Sequence, residues 1–271
     1  MNNRDIINET QDLKFLKWSH VRSSSGTAGT FLKSESTIDG VKKYYKLSNF
    51  DPVKGVVGHE CINEIIVDRL LSILGVEHLH YELIHADIMI EGRVHNTYLC
   101  ASEDFKTAGE SKTALDNFYR VNALPGESHY DFCVRYGWQS YIDTMLAVDY
   151  LILNRDRHGA NIEILRNARK KILRPAPLFD HGLSLLYSCL TKREAEAFDI
   201  MEDKRCQNFI GSFSCYENLD LISEKKKIFS GKLKPSDRKK LFDGIDGILP
   251  EIYYERIWNM IYKRYKTYEN L

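Results

Sequence analysis

The sequence predicts an α+β chain, built as one large domain or as two lobes sharing a cleft, and three observations carry that prediction. Short β-rich runs separated by turn residues fill the N-terminal part around a single helical pattern. Helical spacing then dominates the C-terminal part, first through Trp138, Tyr141, Met145, Val148 and Ile152. Between them, residues able to do chemistry crowd into Leu153-Asn154-Arg155-Asp156-Arg157-His158-Gly159-Ala160-Asn161 and Phe179-Asp180-His181-Gly182. A chain of 271 residues can bury the core that one large domain or two lobes require.

Lysine plus arginine number 38, as do aspartate plus glutamate, so no global field draws the chain to nucleic acid or an anionic membrane, and any basic site is local. Cys61, Cys100, Cys133, Cys189, Cys206 and Cys215 form no C-x-x-C pair. That argues against a structural zinc site or a disulfide framework and for a reducing compartment. Residues 1–5 lack the apolar core of a signal peptide, and the best apolar run, residues 145–153, is short and interrupted by Asp149. Neither an export signal nor a membrane span is expected.

Residues 1–12 are polar and read as peripheral, and Phe15-Leu16-Lys17-Trp18 opens the first strand-like segment. Residues 22–30 form a loop of small residues leading into Phe31-Leu32-Lys33. Such a turn lets backbone N–H groups approach phosphate oxygens, though it equally describes a hairpin or linker, and no Gly-Lys-Ser/Thr follows to make it a Walker A loop. Asp39-Gly40 signals a two-residue hairpin, with Val41-Lys42-Lys43-Tyr44-Tyr45-Lys46-Leu47 as the strand beyond it. Tyr44, Lys46 and Ser48 share the face opposite Tyr45 and Leu47, so Lys46 can point into a cleft beneath the loop, the ordinary alternative for a strand lysine being a solvated side chain. Residues 56–75 read as a helix closed by Gly75, with Ile62, Ile66, Leu70 and Ile73 as its apolar spine. Glu60, Glu64 and Asp68 make a second row, from which one acid can pair with Lys46; the ordinary alternative is that all three are solvated. Residues 81–90 and 94–100 are two more strands joined across Glu91-Gly92, and the lobe is expected to end near Ala101-Ser102-Glu103-Asp104. The division is then 1–104 and 105–271.

Residues 107–137 are mixed. The helix over 138–153 runs into the charged loop, which is costly unless those charges are paired, ligated or in an open cleft. Past Asn161, Ile162-Glu163-Ile164-Leu165, a polar turn near 166–169 and Ile172-Leu173 make a hairpin that brings Asn161 opposite Asp180. Both are oxygen donors of the kind magnesium takes, and Asp156 is a candidate base, so the stretch reads as the catalytic centre of a kinase. Each residue alone has an ordinary role open to it: Asp156 capping a turn, Asn161 bridging loop backbone, Asp180 pairing with Arg157. His158 and His181, with Asp156 and Asp180, lack a third ligand at zinc spacing, and no Gly-x-Ser-x-Gly elbow is present. Ser184, Ser188 and Thr191 are candidate phosphoacceptors, while Lys225-Lys226-Lys227 and Arg238-Lys239-Lys240 read as solvated helix faces. Pro250 opens the last helix, packed through Tyr253, Ile257, Ile261, Tyr265 and Tyr268.

With these parts in order, the chain resembles the HipA-like bacterial serine/threonine kinases, especially their compact CtkA-type branch. Asn154 to Asn161 resembles the family's catalytic loop, and Pro177-Leu178-Phe179-Asp180-His181-Gly182 its metal-binding segment. The resemblance implies a two-lobed protein-kinase-like fold, with a small antiparallel-sheet N-lobe carrying one helix and a mainly helical C-lobe. It implies Asp156 as catalytic base, Asn161 and Asp180 as magnesium ligands, Lys46 as the phosphate-contacting lysine and, through Asn63-Glu64, Glu64 as its partner. Ser24, Ser25, Gly26 and Thr27, with Cys100 and Ala101, are the further ATP contacts, and Ser23, Ser24 and Ser25 the candidates for autophosphorylation. ATP and Mg2+ are the implied cofactors. The implied partners are a protein with a serine or threonine acceptor and a regulatory or antitoxin protein, without direct nucleic-acid contact. The expected location is the cytoplasm, with secretion as an effector the variant. The chain departs from protein kinases in lacking Gly-x-Gly-x-x-Gly in its loop and Ala-Pro-Glu after Asp180. A lipid or small-molecule kinase, and a non-catalytic nucleotide-binding regulator, are the competing classes on the same scaffold.

Overall fold

A computed structural model describes residues 5–21, 28–38, 40–225 and 228–271. Ser23, Ser24, Ser25, Gly26 and Thr27 of the small-residue loop, together with Arg22, Asp39, Lys226 and Lys227, lie outside the described residues.

The N-terminal lobe is built on β1 (Ile6–Asp12), β2 (Ser19–Val21), β3 (Ala28–Ile38), β4 (Val41–Leu47), the short pair β5 (Phe50–Asp51) and β6 (Gly55–Val56), helix α1 (Glu60–Leu74), β7 (Glu82–Ile90) and β8 (Arg93–Glu103). Six of these strands form one sheet in the order β1-β7-β8-β4-β3-β2. Antiparallel pairing prevails, but β1 joins β7 in parallel, Ile6 opposite Leu83. Polar residues 6–12 are thus an edge strand. Residues 13–18 are not the expected strand: Leu13, Leu16 and Trp18 cover the sheet's outer face.

Side-chain alternation separates the two faces of the sheet. Tyr45, Leu47, Ile84, Ala86, Ile88, Leu99 and Ala101 pack outward under that cover. Their neighbours Leu83 and Cys100 belong to the core shared with α1, and Lys46 lines a cleft on the same side. Helix α1 starts at Glu60 rather than near 56, because Gly55 and Val56 pair with Phe50 and Asp51. It ends where Gly75 adopts the left-handed conformation (φ 69°) and its N–H returns to the last turn.

The C-terminal lobe follows as β9 (Ser111–Ala114), α2 (Leu115–Asn122), α3 (His129–Arg135), α4 (Gln139–Ile152), β10 (Asp156–Arg157), β11 (Glu163–Asn167), β12 (Ile172–Pro175), α5 (Lys192–Ala197), β13 (Gln207–Asn208), α6 (Arg238–Phe242) and α7 (Glu251–Glu269). β11 and β12 form the expected hairpin, with β9 on the other side of β11. The apolar sides of α4 and α7 share one core, in which Met145, Val148, Ile152, Ile257 and Ile261 are wholly or almost wholly buried. No helix among the described residues is long and apolar enough to cross a membrane.

Candidate active site

Strand β4 and helix α1 build one half of the site. Lys46 lies opposite Lys33 on β3 and Cys100 on β8. Its ammonium sits 2.9 Å from Glu64 Oε1 and also bonds Asp180 Oδ1. Burial alone would lower the lysine's pKa, but the Asp180 and Glu64 carboxylates overcome that and hold it well above its ordinary value. Lys46 is a fixed cation.

Glu64 is fully buried and also accepts the backbone N–H groups of His181 (2.8 Å) and Gly182 (3.0 Å). Beside it, the Asn63 amide donates to the carbonyls of Gly182 and Ser184, both at 3.0 Å. Two adjacent side chains on α1 therefore clamp residues 181–184. Glu60 and Asp68, expected to be solvated if not paired with Lys46, are buried too: Glu60 accepts the Asn49 N–H at 3.0 Å and Asp68 that of Tyr81 at 2.8 Å. Each acid in the row thus caps backbone donors, and Glu64 is the one bonded to Lys46. A methyl group on Gly182 would lie 3.2 Å from both Glu64 Oε1 and Lys46 Nζ, so a side chain here would press these two groups aside by a few tenths of an ångström.

The second half hangs on an acid that sequence reasoning treated only as an interruption. Asp149 on α4 is 1% exposed and receives Arg157 Nη2 (2.9 Å), Arg157 Nε (3.1 Å) and the Asn154 amide (2.9 Å). Arg157 Nη1 then donates to the carbonyls of Phe179 (3.0 Å) and Asn161 (3.3 Å). One buried guanidinium therefore joins α4, the 154–161 loop and the segment entering Asp180. Its carboxylate partner is Asp149, not Asp180. Asn161 donates its amide to the Asp156 carbonyl at 2.9 Å, so the atom it can offer a cation is its oxygen. The half-buried Asp156 carboxylate stands 3.5 Å from the same amide and 3.7 Å from His158 Nε2.

Asp180 adopts a left-handed backbone (φ 59°), tolerable for a short polar side chain, and donates its N–H to the Tyr81 hydroxyl at 3.3 Å. Its carboxylate lines a cleft of about 500 Å³ together with Lys33, Lys46, Tyr81 and Cys100, within the range of small-molecule and cofactor sites. Phe105 and Phe179, 5.7 Å between ring centroids, and residues 102–104 complete one wall. The cleft brings together Lys46, Cys100 and Asp180 of the expected residues; Glu64 stands behind Lys46. Ala101 turns its methyl group to the opposite face, and Asp156 and Asn161 are not among the lining side chains. His181 is buried, and burial together with the nearby Arg157 cation pushes its pKa well below normal, leaving a neutral imidazole. Among the described residues neither it nor His158 joins a group of three metal-type side chains.

Lys33 escaped sequence reasoning, although the signal was there. The Asp39-Gly40 hairpin signal in the sequence implies Ile38 opposite Val41 and hence Lys33 opposite Lys46, the register the two strands adopt. Its ammonium lies 4.0 Å from Asp180 Oδ2.

No family model matches the chain, and no curated protein does. Among solved structures, the Helicobacter pylori proinflammatory kinase CtkA superposes with a TM-score of 0.59 and 16% identity, over 96% of this chain and 97% of that one. The HipA chain of a Shewanella oneidensis MR-1 complex of HipA, HipB and operator DNA gives 0.43 and 16%, over 93% of this chain and 58% of that one. At 16% identity the likeness to the CtkA structure is one of fold. The chain has the two-lobed α+β fold of the CtkA kinase structure, as its motifs implied.

Proposed function

We propose that the chain is an ATP- and Mg2+-dependent protein kinase acting on serine or threonine hydroxyls. The observation that carries this reading is the Lys46, Glu64 and Asp180 cluster opening into a nucleotide-sized cleft. Lys46, kept protonated and aimed by Glu64, would hold phosphate oxygens, with Lys33 as a second ammonium beside Asp180. The donor set suits a hard cation: a carboxylate already drawing two ammonium groups, and a carboxamide whose nitrogen is committed elsewhere. Asp180 and Asn161 would hold Mg2+, which supplies positive charge against the developing charge on the transferred phosphoryl group. Asp156 would orient the acceptor hydroxyl and take its proton at the side-chain carboxylate, a role commonly contributing about 10²- to 10⁴-fold in rate.

On this reading residues 1–104 and 105–271 are the two lobes flanking the nucleotide. Ser23, Ser24 and Ser25 would be the candidates for self-modification at one serine. A phosphate there would oppose the ATP phosphates by like charge, and intact-mass analysis after incubation with ATP tests it. The main test is incubation with γ-labelled ATP and Mg2+ in the presence of protein, lipid and nucleoside pools. Label on protein serine or threonine is the expected result; label in lipid or nucleoside, or none, contradicts the reading.

A further inference from the structure

Residues 78–81 present two different sides. Leu79 and Tyr81 line the cleft, while His78 and His80 meet Asp68 of α1. We propose that Asp68, His78 and His80 form a site for a zinc-type divalent ion, independent of the kinase reading.

The geometry carries it. The three donor atoms lie within 4.8 Å of one another. Asp68 Oδ1 is 3.3 Å from His78 Nε2 and 3.4 Å from His80 Nδ1. A tetrahedral ion with bonds of about 2.0–2.1 Å separates its ligand atoms by about 3.3–3.4 Å, so two of the three edges are already formed. The third closes by a swing of the His80 ring, whose side chain is 74% exposed.

The two buried ligands are also oriented from behind. His78 Nδ1 lies 2.7 Å from the Val76 carbonyl; donating its proton there leaves the Nε2 lone pair facing Asp68. Asp68 Oδ2 accepts the Tyr81 N–H at 2.8 Å, which leaves Oδ1 as the ligand atom. Such outer bonds accompany histidine and carboxylate ligands in metal sites. Two imidazoles and one carboxylate suit zinc, cobalt or nickel rather than magnesium. The exposed side of His80 leaves the fourth position to water. Leu79 N–H donates to the Leu178 carbonyl at 2.8 Å, so a bound ion would fasten α1 to the strip paired with the segment leading to Asp180.

The test uses untagged full-length protein titrated with Co2+, followed by its visible d–d absorption, and with Zn2+ in competition. The wild type is expected to bind one ion per chain through nitrogen and oxygen ligands. H80A is expected to lose at least about tenfold in affinity while keeping its fold in chelator, because the side chain is exposed; H85A serves as the unchanged control. H80C is expected to keep the site and add a thiolate-to-cobalt band. No stoichiometric binding by the wild type, equal binding by H80A, or a thiolate band in the wild type would overturn the proposal. The first two results would leave His78 and His80 as hydrogen-bonding neighbours of Asp68 alone, and the third would assign the ion to cysteines.

Discussion

Two buried ion clusters converge on the segment that carries Asp180, and they differ in what lies on their open side. Arg157 and Asp149 are each 1% exposed, and the guanidinium donates bidentately to Asp149 and onward to two carbonyls. Lys46, with Glu64 and Asp180, is joined to two carboxylates, and its side chain and that of Asp180 are 10% and 16% exposed where they meet the cleft. The closed cluster fixes the loop to α4. The open one presents charge that a ligand can use. A buried charge whose partner is removed is destabilising, whereas one that keeps a second partner is not left alone. The two sites should therefore fail in different ways.

The largest expected effect separates them. D149A leaves Arg157 buried without its counter-ion and is expected to lose about 3–5 kcal/mol of stability in urea unfolding; a loss below about 1 kcal/mol would mean the pair is not the scaffold described. D180N leaves Lys46 bonded to Glu64, so its unfolding midpoint should stay near wild type while phosphoryl transfer falls about 10²- to 10³-fold. A stability loss matching that of D149A would erase the distinction.

A third effect lies where α1 begins. His59 packs edge-on against Tyr253 of α7, ring centroids 5.3 Å apart, and burial pushes its pKa down to about 4 from 6.5. The unfolded chain then binds the proton more readily. Stability from the neutral ring is complete above pH 6.5 and is lost as pH falls towards 4, by about 3 kcal/mol when fully developed. H59Q should lose stability less steeply over that window, measured as denaturation midpoint against pH; identical slopes would show that His59 does not carry the effect. Smallest is G182A, where the added methyl presses on Glu64 and Lys46 and should cost about 1–3 kcal/mol. Its transfer rate should fall as well, because the crowded atoms are those that aim Lys46.

Much of this arrangement was legible because local rules and tertiary contacts agree. The Asp39-Gly40 signal and period-two alternation set Lys46 on the face opposite Tyr45 and Leu47, and Gly75 closes α1 in the left-handed conformation. The hairpin of β11 and β12 and the packed side of α7 follow from the same kind of pattern. Elsewhere the decisive contacts are long-range. β1 shows no alternation because an edge strand pairing with β7 needs only Ile6 buried. The acid row on α1 looks solvated until the chain returns with the N–H groups of Tyr81, His181 and Gly182. Asp149 interrupts an apolar run, and nothing local announces that Arg157 and Asn154 will close over it. The Asn63-Glu64 pair was read through resemblance; its physical content, a clamp on residues 181–184, emerged only with the fold.

The central claim is that Asp156, on the loop secured by Arg157, serves the transfer step rather than nucleotide binding. The direct measurement is ATP binding and single-turnover γ-phosphoryl transfer compared between the wild type and D156N in Mg2+. D156N is expected to bind ATP as the wild type does and to transfer phosphate about 10²- to 10⁴-fold more slowly. Transfer by D156N at the wild-type rate would contradict the account.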